Sequence, residues 1–326
     1  MFTVNLRFRR FLRSTVVAPL LVLLALPTLA PAQAQADSTW RIALIGDTPY
    51  SAFERAELPK MLEAIADSGS ELVIHVGDIK HGKDRCDDTL FADRHALFDA
   101  SRIPFVFVPG DNEWSDCERL SNGGYAPLER LGALRRRFWA QPESLGRQRL
   151  PLLRQSAAYP EHARFRVGPV LFATLNLPGG NNNWGMKETP SREFSERNPQ
   201  VLAWVRAAFQ VARQEKLAGV AFAMQANPGF KHFAQGLPHS GYRELLELLR
   251  SETANFAGQV LVIHGDTHQS RIDHPLRDSA GKPLANFTRV ETHGYPFMGW
   301  TQLLIRPEAA SLFHTEPHPW PPRERP

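Results

Sequence analysis

Four short apolar segments of this chain end in the same dipeptide, Gly-Asp. The segments cover residues 42–47, 72–78, 105–111 and 260–266. Each has the length and composition of a buried strand that is closed by a tight turn. Ligands of open α/β sheets bind beyond the carboxyl ends of the strands. The recurrence therefore predicts that the four carboxylates meet at one edge of a sheet. They belong to Asp47, Asp78, Asp111 and Asp266.

Carboxylates gathered in this way repel one another, by about 1 to 4 kcal/mol for a pair ~4 Å apart. Either protonation or a bound cation would offset the repulsion. Because sites rich in oxygen ligands suit Mg²⁺, Mn²⁺ and Ca²⁺, the pattern favours one of these ions.

Strand and helix patterns alternate from residue 40 to residue 138, which predicts a parallel sheet covered by helices. The predicted strands are 41–46, 72–76, 104–108, 164–175, 218–224 and the apolar run 260–264. The predicted helices are 54–67, 88–100, 127–138, 199–215 and 240–252. After residue 268 the pattern predicts short antiparallel strands that close a second sheet. These are 270–273, 287–292, 301–306 and 310–314.

Residues 1–36 have a basic start, an apolar middle and small residues before a cleavage point, which is the pattern of a secretory signal peptide. The apolar run is short and interrupted by proline, so a retained membrane anchor is the less favoured alternative. We expect one domain over 37–316, followed by a loose Pro-rich tail at 317–326. The protein is therefore predicted to be exported, either to the periplasm or out of the cell.

The formal net charge of +4 equals the charge of the four arginines within the first 14 residues. The mature chain is then close to neutral and gives no signal for nucleic-acid binding. A Gly-x-x-x-x-Gly-Lys match at 77–83 lacks the following Ser or Thr of a phosphate-binding loop, since Asp84 stands there. No nucleophile-elbow motif is present.

The chain has two cysteines, Cys86 and Cys117, which follow the second and third Gly-Asp turns. In an exported protein a close pair of cysteines forms a disulfide by default. We therefore predict a bridge that ties these turns together, and two unpaired thiols are the alternative.

The order of the four turns resembles that of the calcineurin-like metallophosphoesterase superfamily, in the form of a divergent, exported bacterial-type member. That family shows Asp-x-His, Gly-Asp-x-x-Asp, Gly-Asn-His-(Asp/Glu), a lone His and Gly-His-x-His in this order. The resemblance spans about residues 41–306. It implies an α/β fold in which two mixed β-sheets pack as a sandwich with flanking helices, in four layers α/β/β/α.

The resemblance also implies two divalent metal ions, whose ligands are carried over residue by residue. One pocket would keep Asp47, Asp78 and His268. The other would keep Asp78, Asp111, Asp266 and an amide oxygen from Gln225 or Asn227. Because several family histidines are replaced by residues with oxygen donors, Mg²⁺, Mn²⁺ or Ca²⁺ is favoured over zinc, and iron is a further option.

The candidate catalytic residues come from the second and third turns. Asn112 stands where the family has the histidine that assists the leaving group, and Glu113 fits the last place of that motif. Because an amide cannot donate a proton as a histidine does, the leaving group needs a low pKa or another acid, such as His81 or His232. The reaction implied is hydrolysis of a phosphate monoester or diester by metal-activated water. The alternative is a family fold that binds a metal or a phosphorylated ligand without turnover.

Overall fold

The strands of this protein form two sheets in a computed structural model that describes residues 39–185, 189–237 and 239–322. The strands are β1 (Trp40–Ile45), β2 (Leu72–His75), β3 (Phe105–Phe107), β4 (Leu153–Ser156), β5 (Tyr159–Val167), β6 (Val170–Thr174), β7 (Gly219–Ala223), β8 (Gln259–His264), β9 (Ile272–Asp273), β10 (Phe287–Glu291), β11 (Gly299–Ile305) and β12 (Phe313–Pro319). The helices are α1 (Ala52–Asp67), α2 (Asp88–Asp99), α3 (Pro127–Phe138), α4 (Gly179–Asn182), α5 (Arg192–Gln214), α6 (Phe230–Ala234) and α7 (Arg243–Ala254). The predicted signal peptide at 1–36 lies outside the described residues.

Both sheets are mixed. The first has the order β12-β11-β1-β2-β3, in which β1, β2 and β3 are parallel and β11 and β12 are antiparallel. The second has the order β4-β5-β6-β7-β8-β10-β9, with a parallel centre of β6, β7, β8 and β10. These two mixed sheets with flanking helices confirm the predicted α/β sandwich.

Alternating side chains of each strand serve two different core layers, because successive residues of a strand point to opposite faces. In β1, Ile42 and Leu44 belong to the apolar layer between the sheets, whereas Ala43 and Ile45 pack with residues of α1 such as Leu58. A third layer joins the second sheet to α5 and α7. No helix among the described residues is long and apolar enough to cross a membrane.

The prediction that the last strands close a second sheet is wrong for β11 and β12. β11 pairs with β1, so these two strands extend the first sheet, whereas β9 and β10 join the second. Because β10 is parallel to β8, the prediction of antiparallel pairing also fails there. The predicted domain end at residue 316 falls inside β12, which pairs with β11 through Pro319.

Two further elements differ from the prediction. The predicted strand 164–175 is a hairpin of β5 and β6, which turns at Gly168 with φ +52°. Helix α5 begins seven residues before the predicted start at Pro199, because the Ser191 side chain accepts the Phe194 N–H at 3.1 Å and caps an earlier first turn.

The predicted disulfide between Cys86 and Cys117 is present and closes a loop with a sequence separation of 31. Both sulfur atoms lie close to the carbonyl oxygen of Asn112, at 3.5 and 3.7 Å. The bridge thus holds the segment after β2 against the turn after β3.

We expect the double variant Cys86→Ser, Cys117→Ser to lose about 3 to 4 kcal/mol of unfolding free energy, because the unfolded chain regains the entropy of the open loop. Urea denaturation would measure the loss. Treatment with a reductant should destabilise the wild-type protein similarly and leave the double variant unchanged. A loss below about 1 kcal/mol would contradict this role for the bridge.

Candidate active site

Glycines precede the aspartates because a neighbouring turn occupies the space of their missing side chains. A Cβ at Gly110 would lie 2.1 Å from Asp78 Oδ1, and one at Gly265 would lie 2.1 Å from Asp47 Oδ2. The turns after the strands therefore pack directly on one another, which explains the repeated Gly-Asp dipeptide.

The turns bring the four predicted aspartates to one site at the carboxyl ends of β1, β2, β3 and β8. The Asp266 N–H donates to Asp47 Oδ1 at 3.0 Å, and the Asp47 N–H donates to the Gly77 carbonyl at 3.0 Å. A Cβ at Gly179 would lie 2.6 Å from Asp111 Oδ2 and 3.1 Å from Asp266 Oδ1, so the α4 backbone borders both carboxylates. His268 Nε2 lies 3.3 Å from Asp47 Oδ1.

Asp78 accepts hydrogen bonds from several protein groups. Its Oδ2 accepts from the Tyr50 hydroxyl at 3.0 Å, from Asn112 Nδ2 at 3.0 Å and from Gln225 Nε2 at 3.2 Å. Its Oδ1 accepts the Asn112 N–H at 3.2 Å. The carboxylate that the resemblance places in both metal pockets is therefore engaged by three side-chain donors at Oδ2.

Glu113 is fully buried and binds backbone rather than facing the other carboxylates. It accepts N–H groups from Asp78 at 3.1 Å, Ile79 at 3.3 Å and Gly110 at 2.6 Å. It therefore clamps the turns after β2 and β3 together, a contact that does not depend on a reacting substrate.

The amide oxygens predicted as metal ligands are both bound to backbone N–H groups. Gln225 Oε1 accepts from Gly179 at 2.5 Å, while its Nε2 reaches Asp78. Asn227 Oδ1 accepts from Gly229 at 3.1 Å. The Gln225 side chain contacts an aspartate of the cluster. Asn227 contacts the cluster through its backbone, since its N–H donates to Asp266 Oδ2 at 2.9 Å.

The remaining candidates lie at the edge of the cluster. Asn112 Nδ2 also donates to the Tyr50 hydroxyl at 2.9 Å and to the Lys80 carbonyl at 3.1 Å, which fixes the amide orientation. His81 is partly exposed, and its Nδ1 accepts the Lys83 N–H at 3.1 Å, so the neutral imidazole carries its proton on Nε2. His232 is exposed and packs edge-on against His239.

Tyr50 is the residue whose contact with the cluster the sequence did not reveal. The signal available was its position three residues after Asp47. Its hydroxyl nevertheless bridges Asn112 and Asp78.

Burial raises the pKa of each of the four aspartates, and repulsion from the Asp111 carboxylate adds to the effect in Asp47, Asp78 and Asp266. The pKa of Asp266 reaches about 7, and burial also raises the pKa of Glu113 to about 7. The hydrogen bond from His268 to Asp47 raises the pKa of that imidazole. The cluster thus favours either bound protons or a positive partner.

The types of side chain in the cluster suit divalent cations, but their arrangement does not match a bound-metal site. Repelling carboxylates with oxygen donors suit a hard ion. The donors on Asp78, however, occupy one oxygen of the carboxylate that the resemblance places in both metal pockets. Within residues 39–185, 189–237 and 239–322, no three His, Cys, Asp or Glu side chains are grouped so that they could hold a metal ion.

Comparisons with known proteins agree with this architecture. A family model described as calcineurin-like phosphoesterase matches residues 41–270. A dimetal phosphatase from Danio rerio has a similar structure, with a TM-score of 0.51 and 14% identity over 86% of this chain and 99% of that one. A purple acid phosphatase from yellow lupin seeds has a TM-score of 0.49 and 14% identity over 82% of this chain and 49% of that one. No curated protein matches the sequence.

We expect the free energy of unfolding of the metal-free protein to fall by about 4 kcal/mol between pH 5 and pH 7. Glu113 and Asp266, with folded pKa values of about 7, keep their protons in the folded state over most of this range. The unfolded chain has already lost these protons near pH 4, so the folded state alone is penalised as the pH rises. Urea denaturation in a chelator at several pH values would measure the fall.

Asp266→Asn should reduce this pH dependence, because the amide does not titrate. The matched control is Asp67→Asn at the exposed end of α1, which should behave as the wild-type protein does. A free energy of unfolding that stays constant or rises over this range would contradict the raised pKa values.

Proposed function

The chain belongs to the calcineurin-like phosphoesterase family, and from this premise we propose that it hydrolyses a phosphate monoester or diester in a metal-dependent reaction. The observation that carries the proposal is the convergence of four aspartates at the carboxyl ends of strands from both sheets. This position is the expected ligand site of an α/β sheet.

The residues that would hold the divalent ions are Asp47, Asp78, Asp111, Asp266 and His268, and binding would require their side chains to rearrange, because no three of them are grouped to hold an ion as they stand. When bound, Mg²⁺, Mn²⁺ or Ca²⁺ would stabilise charge on the phosphate and lower the pKa of an attacking water. Gln225 links Asp78 to the Gly179 backbone, because its Nε2 donates to Asp78 and its Oε1 accepts the Gly179 N–H. Glu113 fixes the turns that carry Asp78 and Asp111.

Proton transfer to the leaving group distinguishes this site from the family pattern. Asn112 holds its amide protons in hydrogen bonds to Tyr50, Asp78 and Lys80, and an amide does not act as an acid near neutral pH. His81 at the edge of the cluster is the other candidate, but its Nδ1 accepts the Lys83 N–H, and a neutral imidazole is a very weak acid. Without an acid, the leaving group must depart on the strength of its own low pKa.

Asp78→Asn should reduce turnover of phosphate esters at least about 100-fold, because the substitution removes the charge at the centre of the cluster. The assay uses purified protein supplied in turn with Mg²⁺, Mn²⁺, Ca²⁺, Zn²⁺ or iron, and generic phosphate monoesters and diesters. The matched control is Asp67→Asn, which removes an exposed carboxylate from α1. Full activity of Asp78→Asn would refute the assignment of this site.

A second candidate function is binding of a metal or a phosphorylated ligand without turnover. It is favoured by the three side-chain donors on Asp78 Oδ2, which compete with a cation for that oxygen. Elemental analysis of the purified protein separates the two functions when it is combined with the assay. Bound metal together with no hydrolysis of any ester, under any of the ions above, would establish the binding function.

We also propose that the protein is exported. The disulfide between Cys86 and Cys117 supports this, because such bonds persist in oxidising compartments. The predicted signal peptide at 1–36 also supports export. Cell fractionation and N-terminal sequencing should find the protein outside the cytoplasm with a new terminus close to Asp37. A cytoplasmic protein that keeps Met1 would contradict the proposal.

A further inference from the structure

Aromatic rings line one side of the aspartate cluster. Tyr50 and Tyr295 stack with their ring centroids 5.9 Å apart and their planes at 28°. His81 packs edge-on against both, at 5.7 and 6.2 Å, and His268 packs edge-on against Tyr50 at 5.5 Å. These rings form an apolar wall beside Asp47 and Asp78. We call this group, together with Phe297, the aromatic rim.

The turn at 294–297 fixes one end of the rim to the cluster. The Tyr295 N–H donates to the Asp47 carbonyl at 3.3 Å, and His268 Nδ1 donates to the Tyr295 carbonyl at 2.7 Å. A Cβ at Gly294 would lie 2.9 Å from both Asp47 Cβ and His268 Cγ, so the turn packs directly on these residues. The position of the Tyr295 side chain is therefore set by the backbone of the site itself.

The same turn exposes two aromatic side chains. Tyr295 is 38% exposed and Phe297 is 72% exposed. Exposed aromatic side chains next to a charged cluster offer a stacking surface to a ligand, and a stacked ring pair is favourable beyond the area that it buries. Because both side chains belong to the turn that packs on Asp47 and His268, this surface lies next to the aspartate cluster.

The proton balance of the reaction favours the same class of ligand. Asn112 supplies no acid, as its amide protons bind Tyr50, Asp78 and Lys80. A phenol-type oxygen has a pKa of about 10, as in tyrosine, and so can leave as an anion far more readily than an alkoxide. The rim and the missing acid are separate observations, and both favour a leaving group that is an aromatic hydroxyl compound.

We propose that this site acts on aryl phosphate esters, with the ring of the leaving group against Tyr295 and Phe297. This inference rests on the proposed function. Water forms the new bond to phosphorus while the bond between phosphorus and the aryl oxygen breaks. The electron pair leaves on the aryl oxygen, and the proton released by the water passes to solvent or to the departing phenoxide.

The kinetic test compares substituted phenyl phosphates, whose phenols span a range of pKa values, with glycerol phosphate and adenosine 5′-monophosphate. We expect kcat/KM to rise steeply as the pKa of the phenol falls. Phenyl phosphate should exceed glycerol phosphate at least about 100-fold in kcat/KM, because the unassisted alkoxide is a poor leaving group. Equal kcat/KM values for aryl and alkyl esters would overturn the inference and leave the proposed function intact.

The rim is tested with the double variant Tyr295→Ala, Phe297→Ala, in which the backbone contacts to Asp47 and His268 remain. We expect KM for phenyl phosphate to rise about 10-fold and the preference for aryl over alkyl esters to fall, because the variant removes the rings on which the ligand would stack. The matched control is Leu153→Ala on β4, which removes another exposed apolar side chain, 61% exposed. An unchanged preference in the rim variant would overturn the inference.

Binding of phenylphosphonate and methylphosphonate, measured by calorimetry, tests ring recognition without turnover. The wild-type protein should bind phenylphosphonate about 10-fold more tightly, and the rim variant should lose that preference. If no ester is hydrolysed but this preference holds, ring recognition is supported and the proposed hydrolysis fails. If adenosine 5′-monophosphate is the preferred ester and its KM rises in the rim variant, the rim binds nucleobases and the inference is overturned.

Discussion

Binding of backbone N–H groups by buried carboxylates is the interaction on which this site depends. Glu113 accepts N–H groups from the turns after both β2 and β3, and Asp47 accepts the N–H of Asp266 in the turn after β8. A buried carboxylate would be costly without such donors, and charged hydrogen bonds are stronger than neutral ones. The contacts therefore stabilise the charges and the turns at once. They make strand ends that lie far apart in the sequence into a single structural unit.

Much of this unit follows from the sequence, because the carboxyl ends of parallel strands meet at one edge of a sheet. The Gly-Asp segments predicted which aspartates converge, and the bounds of α3 agree with the helical pattern at 127–138. Choice of partner strand could not be predicted in the same way. β11 is a buried, mostly apolar strand whose composition suits either sheet, whereas β12 is mostly polar, and only the folded structure shows that β11 pairs with β1 and β12 with β11. The helical pattern predicted a start at about residue 199, whereas the cap at Ser191 begins α5 earlier and leaves Pro199 inside the helix.

Side-chain direction was the part of the site that the sequence could not supply. Glu113 follows Asp111 by two residues, yet its carboxylate is buried against backbone, while Asp111 borders α4. Gln225 occupies the region of the lone family histidine. Its amide both accepts from Gly179 and donates to Asp78, two contacts that an amide makes together because it carries a donor and an acceptor. Motif order identifies such residues, whereas the atoms that they present depend on turns formed only in the folded chain.

Competition for Asp78 determines how this site responds to a cation. An ion at Asp78 Oδ2 must displace hydrogen bonds from Tyr50, Asn112 or Gln225, each of which contributes about 1.5 to 3 kcal/mol when the acceptor is charged. The ion gains in return the relief of repulsion among four carboxylates whose pKa values are raised. Tyr50 takes part in both the donor set and the aromatic rim, since its hydroxyl binds Asp78 and its ring stacks on Tyr295. Through this one side chain the aromatic rim is joined directly to the hydrogen bonds on Asp78.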